Sequence, residues 1–180
     1  MNPTIRKCLT ALLLLTSTTT AVNAMSTKEC NFLNDDQKAV VTRAYQLGED
    51  IDYGMTFAAI ALTESNAGEN LINKKSGDYG VFQNNLKYTV RSLEQIQGRK
   101  MTRAEVNNLR SNLITNMELS ASMAQVNIDF WKKVHGDESW SKIIASYNAG
   151  YNYSGSKGQE YLTKVKTNLR KLKNCDCIER

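Results

Sequence analysis

The stretch from Tyr53 to Ser65 constrains the fold most, because it is almost entirely apolar and ends beside an acid. Residues 58–62 read Ala-Ala-Ile-Ala-Leu and leave almost no polar face, which predicts a helix buried on most sides. Glu64 lies at the C-terminal end of this helix, where desolvation and the negative helix pole both disfavour a carboxylate anion. A neutral carboxyl is what a general acid requires near neutral pH. On this stretch alone, a solvated Glu64 is the commoner outcome.

The N-terminal segment has the composition of a targeting signal. Arg6 and Lys7 precede a short apolar run and the small-residue ending Val22-Asn23-Ala24, which together predict a secretory signal peptide over residues 1–24. No segment of residues 25–180 is apolar for long enough to span a bilayer, so no membrane span is expected. Their length suits one compact domain. We therefore predict an exported protein, either periplasmic or secreted.

The charge balance argues against a nucleic-acid partner. Without Arg6 and Lys7, the 23 basic residues become 21 against 18 acidic ones, a net charge of about +3. Many basic residues fall within Lys164–Lys173, which is typical of a solvated helix face. Weak attraction to an anionic polymer such as a bacterial cell wall is compatible with this charge. The density is too low for a nucleic-acid-binding patch.

The cysteines predict one disulfide. Cys8 lies in the predicted signal peptide, which leaves Cys30, Cys175 and Cys177. In an oxidising compartment Cys30 can pair with Cys175 or with Cys177, and one thiol is then left over. Either bond would close a long loop and stabilise the fold by roughly 3–5 kcal/mol. Three cysteines and the single His135 offer no metal-site spacing, so neither a metal nor another cofactor is expected.

Helical signals dominate the rest of the chain. Pro3 is the only proline, so none interrupts residues 25–180. Asn34 and Gln37 form a capping box that begins a first helix, expected to end near Gly48. Further helices are predicted from about Phe57 to Glu64, from Thr102 to just before Gly136 as one long helix, from Trp140 to Tyr147, and from Gln159 to Leu172.

Residues 66–85 differ from the helical segments, because they are rich in Asn, Gly and Lys. This composition predicts an irregular loop or a small β-hairpin. Loops held against a rigid helix commonly carry binding residues, which makes this loop a candidate neighbour of Glu64. No internal repeat interrupts the pattern, so we expect a single, mainly α domain with a small loop or hairpin near its active site.

Three short segments carry a resemblance when they are taken together and in order. They are Glu64-Ser65, Gly80-Val81-Phe82-Gln83 and Ser146-Tyr147-Asn148-Ala149-Gly150. They resemble the E-S pair, the G-L-M-Q-like segment and the A-Y-N-A-G segment of the soluble-type (SLT) lytic transglycosylases, within the lysozyme-like superfamily. The resemblance spans about Ala58 to Val165. It implies a lysozyme-like fold and an enzyme that cleaves peptidoglycan glycan strands.

The segments also depart from that family pattern. Val81-Phe82 replaces the usual Leu-Met, Ser146 replaces Ala, and Ser120 stands where an N-I-x-x-G region has Gly. Tyr161 and Val165 resemble the family's late Tyr-Val pair but lack its preceding Glu-Thr.

The resemblance implies a mechanism with one carboxyl. Neutral Glu64 protonates the oxygen between N-acetylmuramic acid and N-acetylglucosamine, and the substrate's acetamido group assists the oxocarbenium-like centre. Anionic Glu64 then accepts the proton of the muramyl 6-hydroxyl, which attacks C1 and gives a 1,6-anhydro end. Ser65 would orient Glu64 or contact the acetamido group. Further substrate contacts are implied for Asp78, Tyr79, Gln83, Tyr147, Asn148 and Tyr161. In plainer interpretations, Gln83 is a surface amide and Asn148 belongs to a helix C-cap.

A second resemblance implies a different reaction, hydrolysis by a muramidase that uses Glu64 with Asp78 or with a positioned water. Glu64-Ser65-Asn66 followed by Asp78–Gln83 is similar to c-type lysozyme, whose second carboxylate is the Asp of a D-Y-G segment. Such a hydrolase needs two carboxyls about 5 Å apart. The lysozyme disulfide framework is missing, however, and Tyr147–Gly150 has no place in it. Asp78 is also explained as a turn residue after Gly77.

A third hypothesis is a non-catalytic wall-binding protein on the same scaffold. The intact Glu64 argues against it. We expect a monomer that acts on peptidoglycan, with a secretion, conjugation or phage assembly as the candidate partner.

Overall fold

The computed structural model describes residues 29–136, 139–174 and 176–178. The predicted signal peptide, residues 1–24, and Cys175 lie outside the described residues. In the part of the chain that is described, no helix combines the length and the apolar character needed to cross a membrane.

Seven α-helices and a small three-stranded sheet make up the described chain, which confirms the prediction of a mainly α fold with a small hairpin. In chain order they are α1 (Asp35–Glu49), α2 (Gly54–Ser65), β1 (Ile72–Asn73), β2 (Asp78–Tyr79), β3 (Asn84–Asn85), α3 (Leu86–Gln97), α4 (Arg103–Thr115), α5 (Met117–His135), α6 (Trp140–Ala149) and α7 (Ser156–Lys173). A 3₁₀ turn, Gly150–Asn152, joins α6 to α7. The sheet is antiparallel with strand order β1-β2-β3, and Tyr79 pairs with Ile72 on one side and Asn84 on the other.

Helix α2 is the central element of the core. Residues 58–61 are wholly buried, and both α1 and α7 pack against this helix. Phe57 meets Phe82 edge-to-face with ring centroids 5.2 Å apart, which joins α2 to the loop after β2. The prediction of a helix buried on most sides is confirmed, and its apolar sequence places Glu64 at the edge of the core.

The capping signals at the start of α1 are confirmed. The Asn34 side chain accepts from the Gln37 backbone N–H at 2.8 Å, and the Asn34 N–H donates to the Gln37 side chain at 3.0 Å. Helix α2 ends at Asn66, whose φ of +52° is left-handed. That turn directs the chain out of α2 directly after Glu64 and Ser65.

The prediction of one long helix after Thr102 is wrong. Asn116 is extended, with φ −119° and ψ 103°, and separates α4 from α5. Its side chain accepts from the Leu119 N–H at 2.8 Å, so Asn116 caps a new helix. The apolar spacing continues across the break, with Leu113 and Ala121 both buried, which is why periodicity alone joined the two helices.

Helix α3 was not predicted at all. Asn85 accepts weakly from the Tyr88 N–H at 3.4 Å at its start, and Gly98 ends it with φ +67°. Thr89 is its one buried residue, but Leu86, Val90 and Leu93 recur at helical spacing. The sequence therefore contained the signal for α3, and the prediction overlooked it.

A disulfide joins Cys30 to Cys177, which are 147 positions apart in sequence and have their Cα atoms 4.9 Å apart. This confirms one of the two predicted pairings. Both cysteines are buried, so the bond attaches the two ends of the described chain to the core.

Candidate active site

Glu64 lies in the last turn of α2, partly buried, and it faces an open cleft. Burial is the main reason that the pKa of its carboxyl rises from 4.5 to about 7, and the negative charge of Asp78 raises it further. Interaction with the Tyr161 hydroxyl and the charges of Lys157 and Lys164 lower this pKa but do not cancel the rise. With a pKa of about 7, Glu64 is divided between acid and anion at neutral pH.

Two tyrosines pack beside this carboxyl, Tyr161 buried and Tyr147 partly buried. The rings of Tyr147 and Tyr161 stack with centroids 6.2 Å apart and planes 9° apart. The Tyr147 hydroxyl donates to the Phe82 carbonyl oxygen at 2.9 Å. The Tyr161 hydroxyl interacts with Glu64 in a looser geometry than a standard hydrogen bond. Burial, followed by the charge of Glu64, raises the pKa of both phenols well above its usual range, so both keep their protons.

The cleft in front of Glu64 has a volume of about 640 Å³. Its lining consists of Glu64, Asn70, Ile72, Asn73, Lys74, Lys75 and Gln83. Gln83 has a left-handed φ of +46°, and its side-chain amide donates to the carbonyl oxygens of Asn70 at 3.1 Å and Gly80 at 2.9 Å. Gln83 is thus held by the loop at the cleft wall.

Asp78 is partly buried on β2 and is held by Asn85. The Asn85 side-chain amide donates to the Asp78 carboxylate at 2.8 Å and to the Ser76 carbonyl at 2.9 Å. The neighbouring Tyr79 points its ring to the guanidinium of Arg110 on α4, 5.8 Å from the ring centroid. Tyr79 is therefore packed against α4, whereas Asp78 acts electrostatically on Glu64.

Ser65 and Asn148, unlike Gln83, lie outside the lining of the cleft. Ser65 is wholly buried, and its hydroxyl donates to the Ala61 carbonyl at 3.1 Å and accepts from the Gly68 N–H at 2.9 Å. The Ser65 hydroxyl therefore supports the turn after α2. Asn148 is exposed in the last turn of α6, and neither residue lines the cleft.

The loop that carries Asp78 and Gln83 is fixed to the junction of α4 and α5. Gly80 has φ +81°, and a Cβ added there would lie 2.0 Å from the Leu113 carbonyl oxygen and 2.7 Å from the Ser120 hydroxyl. The Asn84 side-chain amide donates to both the hydroxyl and the carbonyl of Ser120, each at 2.9 Å. Ser120, a departure from the family pattern, thus anchors the site loop.

Gly80→Ala is expected to destabilise the protein by about 2–4 kcal/mol, since it adds both a steric clash and an unfavourable φ. Urea denaturation measures the effect. Gly77→Ala is the matched control, because Gly77 has φ +77° but no atom within 4 Å of an added Cβ. The control should lose only about 1 kcal/mol, the backbone contribution. Equal losses for the two variants would show that contact with the α4–α5 junction does not matter.

Sequence reasoning missed most of the cleft lining. Asn70, Ile72, Asn73, Lys74 and Lys75 were recognised only as parts of a polar loop, and no spacing rule singles them out. Among the described residues, no group of three or more His, Cys, Asp or Glu side chains is placed to hold a metal ion.

A family model described as "Transglycosylase SLT domain" matches residues 41–169. The chain belongs to this family. As an SLT domain it is a member of the lysozyme-like superfamily, and the resemblance drawn from the three segments is confirmed. Membership assigns the chain, at the level of the family, a lytic transglycosylase-type function in peptidoglycan cleavage. No curated protein and no solved structure matched the chain.

Proposed function

We propose that this SLT domain is a lytic transglycosylase that cleaves the β-1,4 bond from N-acetylmuramic acid to N-acetylglucosamine and leaves 1,6-anhydromuramyl ends. The observation that carries the proposal is the carboxyl of Glu64, which faces the cleft with a pKa of about 7. One group that is close to half protonated at neutral pH can both give and accept a proton within one reaction.

The reaction runs in two proton transfers through Glu64. The neutral acid protonates the glycosidic oxygen, the C1–O bond breaks, and the substrate's acetamido group stabilises the oxocarbenium-like centre. The resulting anion accepts the proton of the muramyl 6-hydroxyl as that oxygen bonds to C1. No second carboxyl is required, because the nucleophile belongs to the substrate. The enzyme returns to its neutral state at the end.

The surroundings of Glu64 support this cycle. Burial favours the neutral acid at the start, and the Tyr161 hydroxyl favours the anion formed midway. Tyr147 holds the Phe82 carbonyl, so that the ring stack and the site loop stay together. We propose that Gln83 contacts sugar in the cleft and that the rings of Tyr147 and Tyr161 pack beside the sugar. We propose that Asn148 donates a hydrogen bond to the sugar from the end of α6.

Asp78 supports an alternative, a hydrolytic muramidase. Its charge acts on Glu64, as the second carboxylate of a two-carboxyl lysozyme would. The hydrogen bond from Asn85, however, gives Asp78 a structural role within the sheet, so no catalytic role is needed to account for this residue. A non-catalytic wall-binding protein is the third possibility, and it would bind peptidoglycan without releasing fragments.

Product analysis distinguishes these functions. Mass spectrometry of digested peptidoglycan is expected to show muropeptides lighter by one water than hydrolysis products, as anhydro ends require. Asp78→Asn should retain activity within about tenfold, whereas loss of a second catalytic carboxylate would lower it by about 10³-fold or more. Reducing ends in the products would establish the muramidase, and binding without fragments would establish the wall-binding protein.

Export of the protein is a proposal of its own. SLT enzymes act on peptidoglycan outside the cytoplasm, and the Cys30–Cys177 disulfide suits an oxidising compartment. We propose that residues 1–24 are removed as a signal peptide and that the monomer works in the periplasm or is secreted. Local wall opening for a secretion, conjugation or phage assembly is the task that we propose for it.

A further inference from the structure

We infer that Lys74 and Lys75 bind carboxylates of the peptide stem of peptidoglycan, so that the enzyme selects glycan strands that carry peptides. This inference rests on the proposed function, because it assigns the substrate feature that the same cleft recognises. The two lysines lie between β1 and β2 and line the cleft together with Glu64.

The geometry of the turn holds both lysines at the cleft. The Gly77 N–H donates to the Asn73 carbonyl at 2.8 Å, which closes the turn around Lys74 and Lys75. Both residues are exposed, and among the described residues neither amine takes part in an ion pair. Two adjacent exposed cations that form no ion pair with a described residue, on a turn at the wall of a cleft, are available to an anionic ligand.

Other cations surround the same carboxyl. Lys157 and Lys164 on α7 are near enough to lower the pKa of Glu64. Lys74 and Lys75 add two further positive charges at the cleft wall. Asp78, which raises the pKa of Glu64, is the opposing charge. The field at the cleft mouth therefore favours an anionic substrate, while the reacting bond itself is between uncharged sugars.

The chemistry of peptidoglycan supplies the anions. A peptide stem begins at the lactyl ether on O3 of the muramyl ring, the same ring whose C1 and O6 react at Glu64. The stem must therefore extend out of the cleft along its wall, so its free carboxylates come close to the residues that line the cleft. A lysine side chain is long and flexible, which suits a ligand whose peptide varies in conformation.

Binding to insoluble peptidoglycan tests the inference without any turnover. The parent is Glu64→Gln, and the test variant adds Lys74→Gln and Lys75→Gln. Each protein is incubated with native peptidoglycan and with the same material after its carboxylates have been converted to methylamides. We expect the lysine substitutions to weaken binding to native peptidoglycan by about three- to tenfold, the size of two exposed ion pairs, and to leave binding to the amide form unchanged.

The matched control replaces two exposed lysines outside the cleft lining, Lys133→Gln and Lys142→Gln, with the same change of charge. An equal loss in this control would reduce the effect to net charge and overturn the inference. Equal loss on native and amidated peptidoglycan would also overturn it. Failure of the proposed function has a separate signature, since it is seen in the products of the wild-type enzyme and not in these binding constants.

Discussion

Glu64→Gln is expected to lower the rate of peptidoglycan cleavage by about 10³-fold or more with the fold retained, because one carboxyl performs both proton transfers. Release of soluble muropeptides measures the rate, and circular dichroism checks the fold. Glu49→Gln, an exposed acid at the end of α1, is the control and should keep full activity. Substantial turnover by Glu64→Gln would exclude Glu64 as the acid.

The pH dependence of wild type follows from the same carboxyl. The first proton transfer needs neutral Glu64, so kcat/KM should fall about tenfold per pH unit above pH 7, where the acid ionises. A profile that is flat from pH 7 to pH 9 would contradict the raised pKa.

Glu64→Gln should also change the pH dependence of the free energy of unfolding. Since the folded-state pKa of about 7 exceeds the ordinary 4.5, the folded chain binds more protons than the unfolded chain between these values. The free energy of unfolding of wild type therefore falls as pH rises through this window, by up to about 3 kcal/mol. Gln does not ionise, so Glu64→Gln should be the more stable protein at pH 8 and lose this advantage by pH 4.5. Denaturation at both pH values measures the difference.

Removal of the disulfide is the second large effect. Cys30→Ser or Cys177→Ser opens a loop of 147 positions, and we expect a loss of about 3–5 kcal/mol in the free energy of unfolding. For a domain of this size the melting temperature should fall by roughly 10 °C. Thermal melts of oxidised wild type and of each variant give the comparison.

Cys175→Ser is the control for the disulfide, because Cys30 pairs with Cys177. Under oxidising conditions its melting temperature should equal that of wild type. Reductant should lower the melting temperature of both proteins to that of Cys30→Ser. A melting temperature for Cys175→Ser as low as that of Cys177→Ser would mean that Cys175 shares in the bond.

Local signals in the sequence predicted the elements that local interactions determine. The capping box of Asn34 and Gln37 acts within one turn, and the apolar run of α2 specifies its own burial. The break at Asn116 was missed because the apolar residues of α4 and α5 keep one helical spacing across it. The spacing alone therefore does not show that the chain leaves the helix at Asn116. Helix α3 was missed although Leu86, Val90 and Leu93 recur at helical spacing, so this signal was available in the sequence.

The candidate site divides in the same way. Glu64 was predicted as the acid from its position at the end of an apolar helix together with the resemblance of the three segments, and the raised pKa of its carboxyl agrees in direction. Ser65 stands next to it in sequence, yet it turns inward to hold Gly68, which depends on the path of the following loop. Lys74 and Lys75 reach the cleft only because Gly80 and Asn84 pin that loop to Leu113 and Ser120, contacts of more than 30 positions in sequence.

The Cys30–Cys177 bond also sets an order of events during synthesis. At about 5–20 residues per second, the 147 positions from Cys30 to Cys177 take roughly 7–30 s to be made. Through that interval Cys30 has no Cys177 to react with. Cys177 follows α7, so the bond can form only after all seven described helices have been made. The disulfide therefore stabilises the complete domain and cannot stabilise a partly synthesised one. Cys175 is made two residues before Cys177.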